Sequence, residues 1–179
     1  MSNFFKHLKT VNLHRKIVKQ LCFKLGLYRQ GLFHDLSKYS PTEFFVGVKY
    51  YNGDYSPNNA ERRDNGHSLA WLHHKGRNPH HTEYWIDYSA DGGQKKMSGV
   101  KMPAKYLAEL FCDRVSACMV YQREKYSDAS AYEYFIRTKE YCIASLETLD
   151  LIEKMLLTLK KHGMDKTIEY IKRDILKKI

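Results

Sequence analysis

Apolar residues recur at helical spacing along almost the whole chain. The clearest early run repeats every four residues, at Leu13, Ile17, Leu21 and Leu25. This spacing gives a helix one apolar face, and Gly26 directly after the run predicts the end of that helix. Asn12 is the expected N-cap. A short helical turn is predicted over residues 32–35.

A second helix start is predicted at residues 40–43, which read Ser-Pro-Thr-Glu. Serine at the cap, proline at the first helical position and glutamate at the third are typical of a capping box. We therefore predict a helix from Pro41 to about Tyr51. A loop rich in asparagine and proline follows, and one further helix is predicted over about 60–75.

The second half of the chain continues the helical pattern after one stretch rich in glycine, serine and lysine. Residues 86–102 are predicted to form a mobile loop, and Pro103 begins a long helix with an apolar face. Asp128 is the expected cap of the next helix. A leucine-rich stripe then ends at Gly163, and Asp165 is the expected cap of a last, basic helix.

No pair of strands is evident in this pattern, so the predicted fold class is all-α. We expect a compact bundle of six to eight helices that forms a single domain over residues 1–179. Its core is expected from about residues 10–125, with the helices of residues 128–179 packed on that core.

The charge of the chain is strongly basic and unevenly distributed. Lysine and arginine number 30 against 20 acidic residues, a formal net charge of +10. The first 34 residues hold seven of these cations and no acid. Such a balance favours an anionic partner, for example a phosphate-bearing molecule. Nucleic acid stays open as a partner but is not favoured, because the chain shows no known nucleic-acid-binding motif.

Three features of the sequence predict a cytoplasmic location. No run of about 18 apolar residues is present, so no membrane-spanning helix is expected. The N-terminal segment lacks the pattern of a secretory signal. The four cysteines show no C-x-x-C spacing and no disulfide framework, which suits a reducing compartment.

The candidate chemistry begins at the adjacent residues His34 and Asp35. Together they can offer an imidazole nitrogen and a carboxylate oxygen to one metal ion. His14 lies on the preceding predicted helix, and Asp113 lies inside a later apolar helix. A buried carboxylate at Asp113 needs a counter-charge, which a bound cation, Arg114 or another basic side chain would supply.

A second cluster contains four histidines within nine residues, at His73, His74, His80 and His81. The turn between the two pairs contains glycine and proline and can bring both pairs toward a common point. Solvated surface histidines are the alternative interpretation. Lys75 and Arg77 lie in the same segment, where they can either meet phosphate oxygens or serve as ordinary surface charges.

The order of these residues resembles the motif of the HD-domain superfamily of metal-dependent phosphohydrolases, which is a His, then His-Asp, then a distant Asp, all on helices. The segments HDLSKYSPTEF, NPHH and CDR are also similar to a family of uncharacterised HD-like proteins from bacteria and their phages. The resemblance covers about residues 10–125. It implies an HD-like domain that binds one or two divalent transition-metal ions, with Mn, Fe, Zn, Ni and Co as candidates.

The resemblance also implies a role for each candidate residue. The first ion would be held by His14, His34, Asp35 and Asp113. The second would share Asp35 and be held by His74 and His80, with His73 or His81 as further ligands. Lys38 stands three residues after the HD aspartate, where family members often carry a lysine near the substrate phosphate. Asp35 and Lys38 are therefore the expected catalytic residues, and Lys38, Lys75 and Arg77 the expected substrate-binding residues.

The function implied is hydrolysis of a phosphate ester by metal-activated water, with a nucleotide as the expected small-molecule substrate. Two alternatives stay open. The HD scaffold also hosts di-iron oxygenases, which use a similar set of ligands. The chain could instead be a nucleotide- or nucleic-acid-binding or regulatory protein whose metal site is structural or degenerate. Formation of a homo-oligomer is left open by the sequence.

Overall fold

The computed structural model describes residues 2–90 and 96–177, and most of these residues are helical. Within this described part, the predicted all-α bundle of six to eight helices is confirmed, with eight α-helices. These helices are α1 (Asn3–Lys24), α2 (Tyr28–Phe33), α3 (Pro41–Lys49), α4 (Pro57–Asn65), α5 (Leu69–Lys75), α6 (Ala104–Gln122), α7 (Ser130–Thr138) and α8 (Leu146–Tyr170).

Shorter helical segments connect several of these helices. Four are 3-10 helices, at Leu36–Tyr39, Thr82–Trp85, Arg123–Lys125 and Lys139–Tyr141. A π-helix at Ile171–Leu176 follows α8. A 3-10 helix is wound more tightly than an α-helix, and a π-helix more loosely, so side chains point in other directions. The 3-10 helix at Leu36–Tyr39 lies beside the candidate site.

The expectation of no paired strands is wrong, because the chain forms one small antiparallel sheet. Strands β1 (Ile86–Tyr88) and β2 (Met97–Gly99) pair with Ile86 opposite Gly99. Part of the predicted mobile loop 86–102 is therefore ordered, and its residues 91–95 lie outside the described residues. Strands of three residues are too short for an alternating pattern to be recognised in the sequence.

Helix α1 begins about ten residues earlier than predicted, so Asn12 lies inside it and is not its cap. Its end is predicted correctly, since Gly26 follows with a positive φ of 79°. The buried face continues the helical spacing toward the N-terminus through histidines as well as aliphatic residues, at His7, Val11, His14, Val18 and Leu21. A hydropathy pattern does not count histidine as a core residue, so it does not reveal that the helix begins this early.

The predicted single helix over residues 60–75 is two helices in the structure, α4 and α5. Gly66 ends α4 in the left-handed conformation at φ 75°. Ser68 then begins α5, because its side chain accepts a hydrogen bond from the backbone N–H of Trp71. This break turns α5 toward α3, which brings the histidine-rich segment into the interior.

Two of the predicted helix caps in the C-terminal third are wrong. Ala129, not Asp128, precedes α7. Gly163 departs from helical geometry at φ 76° and ψ 177°, as a helix end requires, but helical structure continues on both sides of it. Asp165 therefore lies within helical structure rather than at its start.

The hydrophobic core lies between α1, α6, α7 and α8. Fully buried members from these four helices include Val18, Cys22, Leu107, Phe111, Val115, Phe135, Ile152, Met155 and Leu159. The C-terminal helices thus pack on the helices that carry His14 and Asp113. Of the described helices, none has the length and apolar character that crossing a membrane requires.

Gly99 in β2 gives a prediction about stability. A Cβ at this position would lie 2.3 Å from the backbone Cα of Ala144. Since backbone cannot move aside as a flexible side chain can, Gly99→Ala is expected to lower the free energy of unfolding by about 2–3 kcal/mol. Urea denaturation measures this change.

Gly76→Ala is the matched control for that substitution. Gly76 has ordinary right-handed backbone geometry, and an added Cβ would lie 3.4 Å from its nearest neighbour, the Leu72 carbonyl oxygen. We expect this variant to unfold close to the wild type. Equal stability of the two alanine variants would contradict the close approach at Gly99.

Candidate metal centre

The candidate centre is built around an unusual backbone turn at Asp35. This residue lies between α2 and the first 3-10 helix with φ 52° and ψ 30°, the left-handed region that few residues other than glycine adopt. On a continuous α-helix, adjacent side chains point about 100° apart. The turn instead lets both His34 and Asp35 point into the interior, where they are 2% and 0% exposed.

Helices α1 and α6 complete a first group of ligand atoms around this turn. His14 Nε2 lies 3.0 Å from Asp113 Oδ1, and His34 Nε2 lies 3.4 Å from the same oxygen. His34 Nε2 is also 3.2 Å from Asp35 Oδ2. One atom each from these four residues lies within 4.8 Å of the other three, a spacing that one metal ion can span.

Asp113 obtains its counter-charge from this group and not from Arg114. Its ion pairs among the described residues are with His14 and His34. The arginine next to it on α6 therefore does not neutralise its carboxylate. Arg114 is therefore excluded as the counter-charge, whereas the alternative of another basic side chain stays open, because both partners are histidines.

Helix α5 and the turn after it provide a second group of ligand atoms. His74 Nε2 and His80 Nε2 lie 3.3 and 3.4 Å from Asp35 Oδ1. His81 Nε2 lies 2.9 Å from His74 Nε2. These four residues are all buried and form a set that could hold a second ion.

The structure also separates the members of each histidine pair. Among the described residues, His73 is outside both groups, because its Nδ1 faces Glu43 Oε1 at 2.6 Å. His74 belongs to the second group, and so do both His80 and His81. The prediction of His73 as an alternative ligand is therefore not supported by its position.

Asp35 belongs to both groups and turns a different oxygen toward each. Its Oδ2 faces His14 and His34, and also Lys38 Nζ at 2.6 Å. Its Oδ1 faces His74 and His80 and has no hydrogen-bond partner, although it is fully buried. His80 Nε2 is buried without a hydrogen bond as well. Buried polar atoms are rarely left without a hydrogen bond, so Asp35 Oδ1 and His80 Nε2 fit the ligand positions of a cation.

Two glutamates orient the imidazoles from behind. Glu109 Oε1 accepts hydrogen bonds from His34 Nδ1 at 2.9 Å and lies 3.3 Å from His80 Nδ1. Glu43 Oε2 accepts from His74 Nδ1 at 2.7 Å. With one proton held on Nδ1, the Nε2 side of each ring is left to meet either a second proton or a metal ion next to Asp35.

The sequence interpretation missed both glutamates. Glu43 was assigned to a capping box, but Ser40 makes no side-chain cap bond and Glu43 instead contacts the histidines. Glu109 could have been found, because it lies one helical turn before Asp113 and therefore on the same face of α6. Only the packing of α6 against the histidine segment shows what this residue contacts.

The electrostatics of the centre differ from one candidate ligand to the next. Burial lowers the pKa of His34, but Asp35, Asp113 and Glu109 outweigh burial and raise it well above its usual value, so that without a metal this imidazole is protonated. Burial raises the pKa of Asp35, but His34 and Lys38 outweigh burial and hold the pKa well below its usual value. Burial and the neighbouring His80 and His74 hold the pKa of His81 well below its usual value. An ionised carboxylate and a neutral imidazole are the forms that coordinate metals.

The centre lies at the wall of a cleft of about 840 Å³. Four candidate ligands line this cleft together with Lys38, namely His14, His74, His81 and Asp113. The remaining candidate ligands, His34, Asp35 and His80, are buried and are not part of its lining. The aromatic residues of its lining are Tyr55, Trp71, Tyr121, Tyr134 and Tyr141.

Two of the three predicted substrate-binding residues lie away from the cleft. Lys75 and Arg77 are not part of its lining. Arg77 is exposed and its Nη1 donates to the backbone oxygen of His73. Lys38 is part of the lining, and the other cations there are Arg62 and Arg114, which the sequence interpretation did not assign to the substrate.

Comparison with known proteins gives a family but no activity. The model of a protein family of unknown function, DUF5662, matches residues 3–158, which include every candidate ligand and most of the core. Searches of curated proteins and of solved structures returned no match. The chain therefore belongs to the DUF5662 family, a family of unknown function.

Proposed function

We propose that this protein is a metal-dependent phosphohydrolase that acts on a nucleotide or a related phosphate ester. The observation that carries the proposal is Asp35, a buried carboxylate shared between two convergent groups of histidine and aspartate atoms at the wall of an open cleft. The resemblance to HD-domain hydrolases supports it, since His14, His34, Asp35 and Asp113 contribute to one of these groups in the order that the motif requires.

The donor set fits first-row transition metals. Imidazole nitrogens and carboxylate oxygens suit Mn, Fe, Zn, Ni and Co, and the absence of thiolate in both groups disfavours a site selective for soft ions. Bound there, one or two such ions supply a Lewis acid for a phosphate oxygen and a water molecule of lowered pKa. The protein itself provides the fixed imidazoles, through Glu43 and Glu109, and the shared carboxylate.

Lys38 is the residue of the chain best placed to meet a phosphate. Its ammonium lies 2.6 Å from Asp35 Oδ2, and its side chain is 28% exposed and lines the cleft. Burial lowers the pKa of Lys38, but Asp35 and Asp113 outweigh burial and raise it. The group therefore stays positively charged and can attract a phosphate oxygen next to the shared carboxylate.

The shape of the cleft supports a substrate of nucleotide size. Its volume lies within the range usual for pockets that bind small molecules. Trp71 and Tyr55 present aromatic side chains to the same space as Lys38, and such rings can stack on a base. The proposal therefore relies on Lys38 and the cleft aromatics, and not on Lys75 or Arg77.

We also propose a cytoplasmic location. All four cysteines carry free thiols, at Cys22, Cys112, Cys118 and Cys142. Cys22 and Cys112 are buried in the core, where they serve as small apolar side chains. A chain that keeps its thiols reduced suits the cytosol.

Removal and return of metal test the proposed activity. Purified protein treated with a chelator and then dialysed is expected to hydrolyse none of three substrate classes: nucleoside monophosphates, which would yield phosphate, and cyclic nucleotides and a generic phosphodiester, which would yield a phosphomonoester. Addition of Mn²⁺, Co²⁺, Ni²⁺, Zn²⁺ or Fe²⁺ one at a time should restore hydrolysis of at least one of these classes, because the centre needs a cation.

Two outcomes would contradict hydrolysis. Protein that binds none of these ions and stays inactive with all of them would exclude a metal-dependent enzyme. Protein that binds iron and consumes dioxygen, with no hydrolysis of any phosphate ester, would favour the di-iron oxygenase alternative. Metal content and the products of hydrolysis are measured on the same samples, so that the two outcomes are distinguished.

A further inference from the structure

Arg114 carries a guanidinium nitrogen that has no hydrogen-bond partner among the described residues. It follows Asp113 on α6 and lines the cleft. Its guanidinium lies over the ring of Phe135 of α7, 5.4 Å from the ring centre. Its Nη1 is buried and has no hydrogen-bond partner. Among the described residues, no other lysine or arginine has a buried donor left in this state.

A buried guanidinium nitrogen without an acceptor is unfavourable, because its N–H groups have lost their hydrogen bonds to water and the contact with the Phe135 ring does not replace them. Neighbouring acids do not compensate it, since Asp113 pairs with His14 and His34. The planar fork of arginine matches the oxygens of a phosphate in two parallel hydrogen bonds. An anion in the cleft would therefore satisfy this donor.

The position of Arg114 differs from that of the metal ligands. Neighbouring residues on a helix point about 100° apart. Asp113 points to the histidines, whereas Arg114 points to Phe135 and the α7 side of the cleft, which Tyr134 and Thr138 also line. An anionic group bound at Arg114 would therefore be separate from a phosphate bound next to Lys38 and Asp35.

We propose that Arg114 binds a second phosphate group of the substrate, so that the substrate class is a small phosphate ester with phosphates at two separate positions. This inference rests on the proposed function, because it takes the first phosphate to lie at the metal centre. A nucleoside with phosphates on both its 3′ and 5′ oxygens has this chemistry, and its monophosphate lacks the second group.

Matched probes and variants test the proposal. The probes are adenosine 3′,5′-bisphosphate and adenosine 5′-monophosphate, and calorimetry measures their binding to Mn²⁺-loaded protein. Wild type should bind the bisphosphate more tightly. Arg114→Met keeps the apolar stem that packs on Phe135 and is expected to weaken bisphosphate binding about 10- to 100-fold, with little effect on the monophosphate.

Two further variants control for charge and folding. Arg137→Gln removes an exposed cation of α7 that does not line the cleft, and it should bind both probes as the wild type does. Arg114→Lys keeps a cation near Phe135 but loses the fork, so bisphosphate binding should fall several-fold. Arg114→Lys also tests the role of Arg114 if Arg114→Met does not fold. Thermal unfolding shows whether each variant is folded.

The outcomes separate this inference from the proposed function. Wild-type protein with no preference for the bisphosphate, or a preference unchanged in Arg114→Met and Arg114→Lys, would overturn the role of Arg114. Binding that depends on Arg114 but is never followed by phosphate release with any metal would contradict the hydrolase and support the anion site. Phosphate release from the bisphosphate that is unchanged in Arg114→Met and Arg114→Lys would support the hydrolase and contradict the anion site at Arg114.

Discussion

Replacement of Asp35 by asparagine is expected to lower the bound metal of the purified protein at least tenfold and to abolish hydrolysis, with a loss of about 10³-fold or more in kcat/KM. Such a loss corresponds to about 4 kcal/mol of transition-state stabilisation. The physical reason is that Asp35 alone supplies an oxygen to both groups of ligands. An amide has one oxygen and no negative charge, so it cannot replace a shared carboxylate.

Asparagine is the informative substitution because of the backbone. Asp35 has a left-handed conformation, which asparagine tolerates nearly as well as aspartate and alanine does not. Asp35→Asn should therefore keep the fold, which circular dichroism checks. Asp35→Ala should lose the metal as well, with an additional loss of stability from the backbone.

The control for this experiment is Asp150→Asn on the surface of α8. Its carboxylate is exposed and pairs with Lys154, four residues further along the helix. Elemental analysis should find wild-type metal content in this variant. If Asp35→Asn retained its metal and activity while folded, Asp35 would not be the shared ligand.

Glu109→Gln is expected to weaken the binding of both ions, by about 10- to 100-fold each. One oxygen of Glu109 faces His34 of the first group and His80 of the second, at 2.9 and 3.3 Å. Glutamine keeps the shape of the side chain but replaces the carboxylate by a neutral amide. The two imidazoles then lose the charge that orients them and raises their basicity.

Glu43→Gln is the matched comparison, because it affects one group only. Glu43 holds His74 of the second group and His73, which lies in neither. Titration with Mn²⁺ against a chromophoric chelator should show both affinities reduced in Glu109→Gln and one reduced in Glu43→Gln. Equal affinity of wild type and Glu109→Gln for the metal would show that the carboxylate does not support the centre.

Several parts of the protein could be predicted from the amino-acid pattern. The helical class follows from apolar residues at three- and four-residue spacing, and the end of α1 from Gly26, which tolerates a positive φ. The resemblance to the HD-domain motif implied His14, His34, Asp35 and Asp113 as one group, and the structure brings these four residues together. Whether they bind a metal stays a prediction.

The errors have physical reasons of their own. The early start of α1 was missed because the imidazole of His7, on the buried face of its first turns, packs against Phe44 as an aromatic ring despite its polar atoms. The sheet was missed because its strands have three residues each. Glu43 was misassigned because a glutamate at the third position of a helix can either cap it or face a neighbour.

The sequence by itself determined the helices and the residue types that can bind a cation, since both depend on local spacing and side-chain chemistry. Only the tertiary structure decided which of His73 and His74 faces Asp35, that Glu109 contacts histidines of both groups, and that Arg114 lies in the cleft. Those choices depend on how α5 and α6 pack, and a difference of one residue turns a helical side chain by about 100°. A local sequence pattern does not specify how a helix is rotated against its neighbours.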